Sequence, residues 1–256
     1  MAAAGRHGPS IDVGILTKGK PTLGMALVTL LLQQDVTLRM RLVDTADSPV
    51  IKRDDVLFAL KLAQDRGVSC EYEVLKDRQR AFSVGRLRLL ENLTGPHVCY
   101  VDDDIVMPSD ALARLLGEAT LRGVYGFIAP RCVNAGAQSR GVLAERPHYS
   151  PGGLFYQDHL VRTILLEYYG TTVDVLDARA SSGADTVWEL AFLTALFEQL
   201  DRPSEVVDPP VSYHLDYHRG MRWDLSEESL LARSRAKAAE LVAKHRGSPV
   251  ASPLPR

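Results

Sequence analysis

Hydrophobic positions in the first hundred residues change period repeatedly. Ile11 to Thr17, Leu38 to Asp44 and Glu71 to Leu75 are short β-rich runs, and between them Thr22 to Gln33 and Asp54 to Arg66 are amphipathic with helical spacing. This alternation predicts a βαβαβ unit. A helix around Phe82 to Asn92 leads into His97 to Val101, an apolar run with Gly95-Pro96 before it and three aspartates after it. Such a run is the pattern of a parallel strand buried on both faces. Ser109 is a suitable N-cap for a helix whose Leu112, Leu115, Leu116 and Ala119 make one apolar stripe, and Val124 to Ala129 returns as a strand.

From Pro130 to Gly153 the pattern dissolves into Asn, Gly, Ser, Arg and Pro. A connection of that length points to function, and the acceptor site is expected there. Helices at about Gln157 to Tyr168 and Asp185 to Leu200 flank a strand at Thr172 to Leu176, and a strand-like Glu205 to His214 follows. The last helix opens at Asp224 with Glu227 three residues on, a capping-box arrangement, and runs to about His245. Met1 to Ser10 reads as a frayed tail without the apolar core of a signal peptide, and Gly247 to Arg256 as a disordered tail rich in proline and serine.

Composition narrows the function. The 256 residues are 46% hydrophobic and 24% charged, with a formal net charge of -2, as in ordinary soluble globular proteins. That charge gives no general attraction to nucleic acid or anionic membrane, so a small-molecule site is sought. The longest apolar run, Met25 to Leu32, is too short to cross a bilayer, and Cys70, Cys99 and Cys132 are too widely spaced for a zinc site. A reducing, cytoplasmic location is the expectation.

Asp102-Asp103-Asp104 is the strongest chemical signal, because open α/β sheets bind ligands at the carboxyl ends of their strands. Three adjacent carboxylates repel one another in a partly dehydrated site, and a divalent cation with oxygen ligands relieves this. On an extended chain Asp102 and Asp104 share a face. The alternative is a solvated acidic turn that caps the next helix. Gly14 to Lys20 has the glycine and lysine spacing of a phosphate loop, but Pro21 stands where that loop needs Ser or Thr, and Gly14 lies inside a strand.

Several segments together resemble the nucleotide-diphospho-sugar transferases of GT-A fold, in particular family-two glycosyltransferases. Gly85-Arg86-Leu87-Arg88 through Thr94-Gly95, running into Tyr100-Val101-Asp102-Asp103-Asp104, resembles that family's Ala-Arg-Asn helix, Thr-Gly turn and Asp-x-Asp metal motif. Gly183-Ala184-Asp185-Thr186 resembles its Glu-Asp segment, with Ala184 in place of Glu, and Val211-Ser212-Tyr213-His214 its closing histidine. The resemblance implies an α/β, Rossmann-like GT-A domain with a mainly parallel sheet over residues 11–223, divided into a nucleotide-sugar half (11–129) and an acceptor half (130–223). A C-terminal helix and tail over 224–256 follow.

It further implies transfer of a sugar from a nucleotide diphosphate, with a UDP-sugar favoured, to an acceptor hydroxyl. Mn²⁺ or Mg²⁺ would be held by Asp104, His214 and Asp102. The donor would be contacted by Thr17, Asp44, Arg86, Asp102, Asp103, Arg219 and Arg222. Asp185 would be the base of an inverting reaction, with Glu189 as its fallback, and the segment from Tyr213 to Trp223 would order as a lid. A sugar-phosphate nucleotidyltransferase and a non-catalytic nucleotide-sugar binder are the alternatives.

Overall fold

The sheet is built outward from β1 (Ser10–Thr17), whose side chains are buried on both faces. In the computed structural model, which describes residues 8–76, 81–123, 125–135, 141–144, 152–171, 185–202, 204–215 and 227–246, β1 pairs in parallel with β2 (Thr37–Asp44) on one side and β4 (His97–Asp102) on the other. β3 (Ser69–Val74) extends the parallel set beyond β2. The order then continues β8 (Leu154–Tyr156), β6 (Phe127–Asn134), β9 (Glu205–His214) and β5 (Ile105–Val106), with β7 (Gly141–Ala144) on the edge of β6. The long pair β6 and β9 is also parallel, while the short β5, β7 and β8 run antiparallel to their neighbours.

Alternation along the strands sends side chains into two cores. Ile11, Val13 and Ile15 of β1 with Cys99 and Val101 of β4 face one core, against α1 (Leu23–Leu31), α2 (Asp54–Asp65) and α4 (Ala111–Leu121). Val98 and Tyr100 face the other, against α3 (Ala81–Asn92), α5 (His159–Thr171), α6 (Asp185–Gln199) and α7 (Glu227–Arg246). The result is the expected α/β architecture with helices on both faces of the sheet.

Two devices fix the edges of this frame. Asp12, buried in β1, accepts from Arg39 Nε (2.6 Å) and Nη2 (2.8 Å) and from Gly95 N (2.7 Å), which ties the turn before β4 to β1. A side chain at Gly95 would press on the same Asp12 and Arg39 groups. In β9, Asp208-Pro209-Pro210 bulges out where the register with β6 shifts between Pro130 and Arg131. Prolines cannot donate to the ladder, so a bulge is where a strand accommodates them.

Several sequence expectations shift. Ser109 is not the cap of α4, which begins at Ala111 after Asp110, and the Ser109 carbonyl instead accepts from Gln34 N. The strand expected to end at Ala129 continues to Asn134, and β7 also falls in the stretch expected to be patternless. Strands β5, β7 and β8, two to four residues long, are too short to show a period. The strand expected over Thr172 to Leu176 and the helix start expected at Asp224 lie outside the described residues.

Gly126 sets how closely α6 approaches the sheet, since a Cβ there would meet Phe197 Cβ at 2.4 Å and Cγ at 2.6 Å. Gly126→Ala is expected to destabilise the fold by about 1–3 kcal/mol through overpacking, read as a lower midpoint in chemical denaturation. An unchanged midpoint would mean that α6 can retreat without cost.

Candidate active site

The chain leaves β1 towards β2 and β3 on one side, and later adds β4 on the other. The break in strand order therefore lies between β1 and β4, and at their carboxyl ends Leu16 is in register with Asp102. Open α/β sheets form their ligand crevice at such a point. The aspartate triplet sits there, but not as an extended segment, because the chain turns at Asp103 and Asp104. The expectation that Asp102 and Asp104 share a strand face is thereby corrected. Each carboxylate has its own partner instead.

Asp104, 1% exposed, accepts from Lys20 Nζ at 2.5 Å on Oδ2, and His214 Nε2 lies 3.1 Å from the same oxygen. Oδ1 is buried with no hydrogen-bond partner among the described residues. His214 reaches Asp104 because the end of β9 pairs with β5: Ile105 opposes His214, and Leu215 N donates to the Asp104 carbonyl at 2.9 Å. Burial alone would raise the Asp104 pKa, but His214 and Lys20 hold it below the ordinary carboxylate value. Burial opposes the Lys20 charge, yet Asp104 and then Asp103 and Asp102 raise its pKa above that of a free lysine.

Asp103 turns the other way. Its Oδ2 accepts from Thr17 Oγ1 at 2.6 Å, and Thr17 Oγ1 accepts in turn from Gly19 N at 2.9 Å. Both residues are buried, and burial pushes the Asp103 pKa up. Thr17 and Asp103, expected as donor contacts, are spent on holding the turn against β1. Asp44 is likewise engaged within the chain. It is fully buried, with Oδ1 accepting from Ala46 N (2.8 Å) and Oδ2 from Val50 N (2.7 Å) and Tyr72 Oη (2.6 Å), so it ties down the connection after β2.

Asp102 is the most open of the three, with 24% of its side chain exposed. Arg86 Nη2 lies 3.6 Å from its Oδ1, and this arginine is itself 1% exposed. Arg86 donates to Glu189 Oε2 from Nη2 (2.7 Å) and Nε (3.1 Å), while Tyr169 Oη donates to Glu189 Oε1. The guanidinium also lies over the rings of Tyr100 (4.7 Å) and Phe82 (5.1 Å). Glu189, expected as a fallback base, has both oxygens engaged in the interior, and burial raises its pKa against the pull of Arg86. Arg86 thus lies beside Asp102 of the turn as well as Glu189.

Asp185 is the first residue of α6, one turn before Glu189. Its side chain, Arg219, Arg222 and the lid segment after Leu215 lie outside the described residues. Sequence reasoning missed Tyr169 and underused Lys20. The signal for Lys20 was available as a cation immediately after a strand whose carboxyl end faces three aspartates. Tyr169 carried none, being one aromatic on an amphipathic helix.

The donor chemistry suits a divalent cation: one carboxylate with a buried, unbonded oxygen beside an imidazole nitrogen. Among the described residues no three His, Cys, Asp or Glu side chains gather as a closed cage. An open set of one or two protein ligands is how ions shared with substrate phosphates are held.

The acidic turn, paired with cations, thus lies at the break point of the sheet, and the fold is the GT-A fold. No protein-family model matches the sequence, and no curated protein matches it. Among solved structures the chain is similar to Staphylococcus aureus TarS 1-349 in complex with UDP, with a TM-score of 0.59 and 14% identity over 93% of this chain and 70% of that one. It is also similar to the mannosyltransferase PcManGT from Pyrobaculum calidifontis in complex with GDP-Man and Mn²⁺, with a TM-score of 0.55 and 17% identity over 96% of this chain and 77% of that one. At such identities the likeness is one of fold. No helix among the described residues is long and apolar enough to cross a membrane.

Because Arg86 and Glu189 are both buried, removing one strands the other. Glu189→Ala is expected to cost about 3–5 kcal/mol, and the double variant Arg86→Met, Glu189→Leu to recover most of it. Denaturant midpoints of wild type and the two variants measure this, and a double variant no more stable than Glu189→Ala would mean that the pair is not coupled.

Proposed function

We propose that the protein is a glycosyltransferase that moves a sugar from a nucleoside diphosphate to an acceptor hydroxyl with the help of a divalent metal. One observation carries the reading: within a GT-A fold, Asp104 and His214 meet beside Asp102 at the carboxyl edge of the sheet, although they come from distant parts of the chain. Asp104 and His214 would hold Mn²⁺ or Mg²⁺. When bound, such an ion neutralises charge on a departing diphosphate.

The chain's own residues supply orientation. Asp102, partly exposed and steadied by Arg86, is placed to accept from a ribose or sugar hydroxyl. Arg86 is fixed by Glu189 and Tyr169, so Asp102 is presented in one position without having to be ordered on binding. The same ion pair joins α6 to the aspartate turn, and α6 begins with Asp185. That linkage supports Asp185 as the base that takes the acceptor proton, a group that needs a fixed place opposite the leaving group. Glu189 acts through Arg86 as a positioning residue.

A UDP-sugar is the first donor to test, on the likeness to a structure that holds UDP, and a GDP-sugar is the second, on the likeness to one that holds GDP-Man. The uridine preference does not rest on Asp44, which is buried. The acceptor half follows β6, and Arg219 and Arg222 are proposed as phosphate contacts of a closing segment.

Release of free nucleoside diphosphate across a panel of sugar nucleotides tests the proposal directly. Asp104→Ala and His214→Ala are each expected to weaken Mn²⁺-dependent nucleotide binding by tenfold or more, about the loss of one charge-assisted contact, in titration calorimetry. Affinities unchanged in both would remove these residues from the metal site. Asp185→Asn is expected to keep the fold and donor binding while lowering kcat by about a hundredfold or more. A kcat within about threefold of wild type would make Asp185 structural and would favour a non-catalytic binder if wild type, too, released no product.

A further inference from the structure

Lys20 touches the proposed metal ligand Asp104, and it does so from a segment whose backbone is held still. After β1 the chain passes through Lys18-Gly19-Lys20-Pro21 before α1, with Gly19 at φ +86°. Arg53, from just before α2, donates to the carbonyls of Gly19 (2.9 Å), Lys20 (2.7 Å) and Pro21 (3.1 Å), and its own guanidinium is held by Asp55. From the other side Thr17 Oγ1 accepts from Gly19 N, and Thr22 Oγ1 donates to the Asp103 carbonyl. The backbone at Lys20 is thus clamped between Arg53 and the aspartate turn. Only the side chain is left to move.

That side chain ends on Asp104. Its Nζ is 2.5 Å from Asp104 Oδ2 and 3.9 Å from Asp103 Oδ1. Lys20 keeps 34% of its side chain exposed, whereas those of Asp104 and His214 are 1% and 11% exposed. Among the described groups around the Asp104 carboxylate, Lys20 is the most exposed. A cation that binds the Asp104 carboxylate through either oxygen comes close to the ammonium that Lys20 holds on Oδ2. Two positive charges on one carboxylate repel strongly in a partly dehydrated site.

We infer that Lys20 is an exchangeable internal cation: it neutralises Asp104 in the empty site, is displaced when a divalent ion binds, and then pairs with a donor phosphate. This rests on the reading of the site as one for a metal and a nucleoside diphosphate, and it adds to that reading a residue with two opposite effects. Toward the metal alone Lys20 is a competitor. Toward the metal with a diphosphate it is a ligand partner, because the displaced ammonium, tethered by a fixed backbone, remains within reach of the anion that arrives with the ion. The device disfavours metal without nucleotide and favours the two together.

The opposite signs make the test. Mn²⁺ binding, measured on the protein alone by electron paramagnetic resonance, is expected to be about tenfold tighter in Lys20→Met than in wild type, the loss of one competing charge-assisted contact. Uridine diphosphate binding at saturating Mn²⁺, measured by calorimetry, is expected to be about tenfold weaker in the same variant. Lys20→Arg, which keeps the charge, should stay near wild type in the Mn²⁺ measurement, and Lys61→Met, which removes an equal charge on α2, should change neither. Thermal midpoints establish that the variants fold.

Mn²⁺ affinity in Lys20→Met no higher than in wild type would overturn the competition. Uridine diphosphate affinity undiminished in that variant would overturn the pairing with phosphate. A wild type that binds Mn²⁺ but neither uridine nor guanosine diphosphate would fail the reading of the site as one for a nucleoside diphosphate, and the Mn²⁺ comparison would still decide the exchange.

Discussion

A guanidinium with no access to water must be matched by negative charge, and the position of Arg86 obliges much of this molecule to be where it is. Glu189 neutralises it from α6, Tyr169 of α5 occupies the remaining Glu189 oxygen, and Asp102 of β4 faces it from the sheet. Three helices and the central strand are thereby registered to one another by a single buried cluster. Apolar packing alone would allow α6 to slide by a fraction of a turn with little loss, whereas a desolvated ion pair does not tolerate separation. The cluster is better understood as a specifier of geometry than as a source of stability, since hydrophobic replacements of buried pairs can be as stable.

The same logic governs the aspartate turn. Three consecutive carboxylates are compatible with burial because the chain turns and gives each a separate partner: Arg86 for Asp102, Thr17 for Asp103, and Lys20 with His214 for Asp104. Only Asp102 keeps appreciable exposure. The middle carboxylate, paired with the neutral hydroxyl of Thr17, has its pKa raised by burial even though Lys20 lies 3.9 Å away.

The parallel half of the sheet was legible in the sequence because its strands are long, apolar on both faces and separated by amphipathic helices. The position of the aspartate triplet followed from the same pattern, since three aspartates at the end of a buried parallel strand lie at the carboxyl edge of the sheet. What could not be read were pairings made at a distance. Asp44 and Thr17 looked available because they end strands, and the pattern around them does not announce that Tyr72 and Asp103, 28 and 86 residues away, will pair with them. Glu189 looked like a base because it lies one helical turn from Asp185, but its partner is over a hundred residues earlier in the chain. Short strands such as β5 carry no periodic signal, yet β5 is what brings His214 to Asp104.

That last pairing bears on how the protein is made. Strands β1 to β4 and their helices are contiguous in the chain, so the aspartate turn, Thr17 and Lys20 are all synthesised before β6 and β9. His214 is synthesised about 110 residues after Asp104, on a strand that must find its place between β6 and β5. For that interval the nascent chain holds an acidic turn already supplied with Lys20 from its own β1 loop, but not yet with its imidazole. The growing polypeptide thus carries its own counter-ion for the acidic turn before β9 is made.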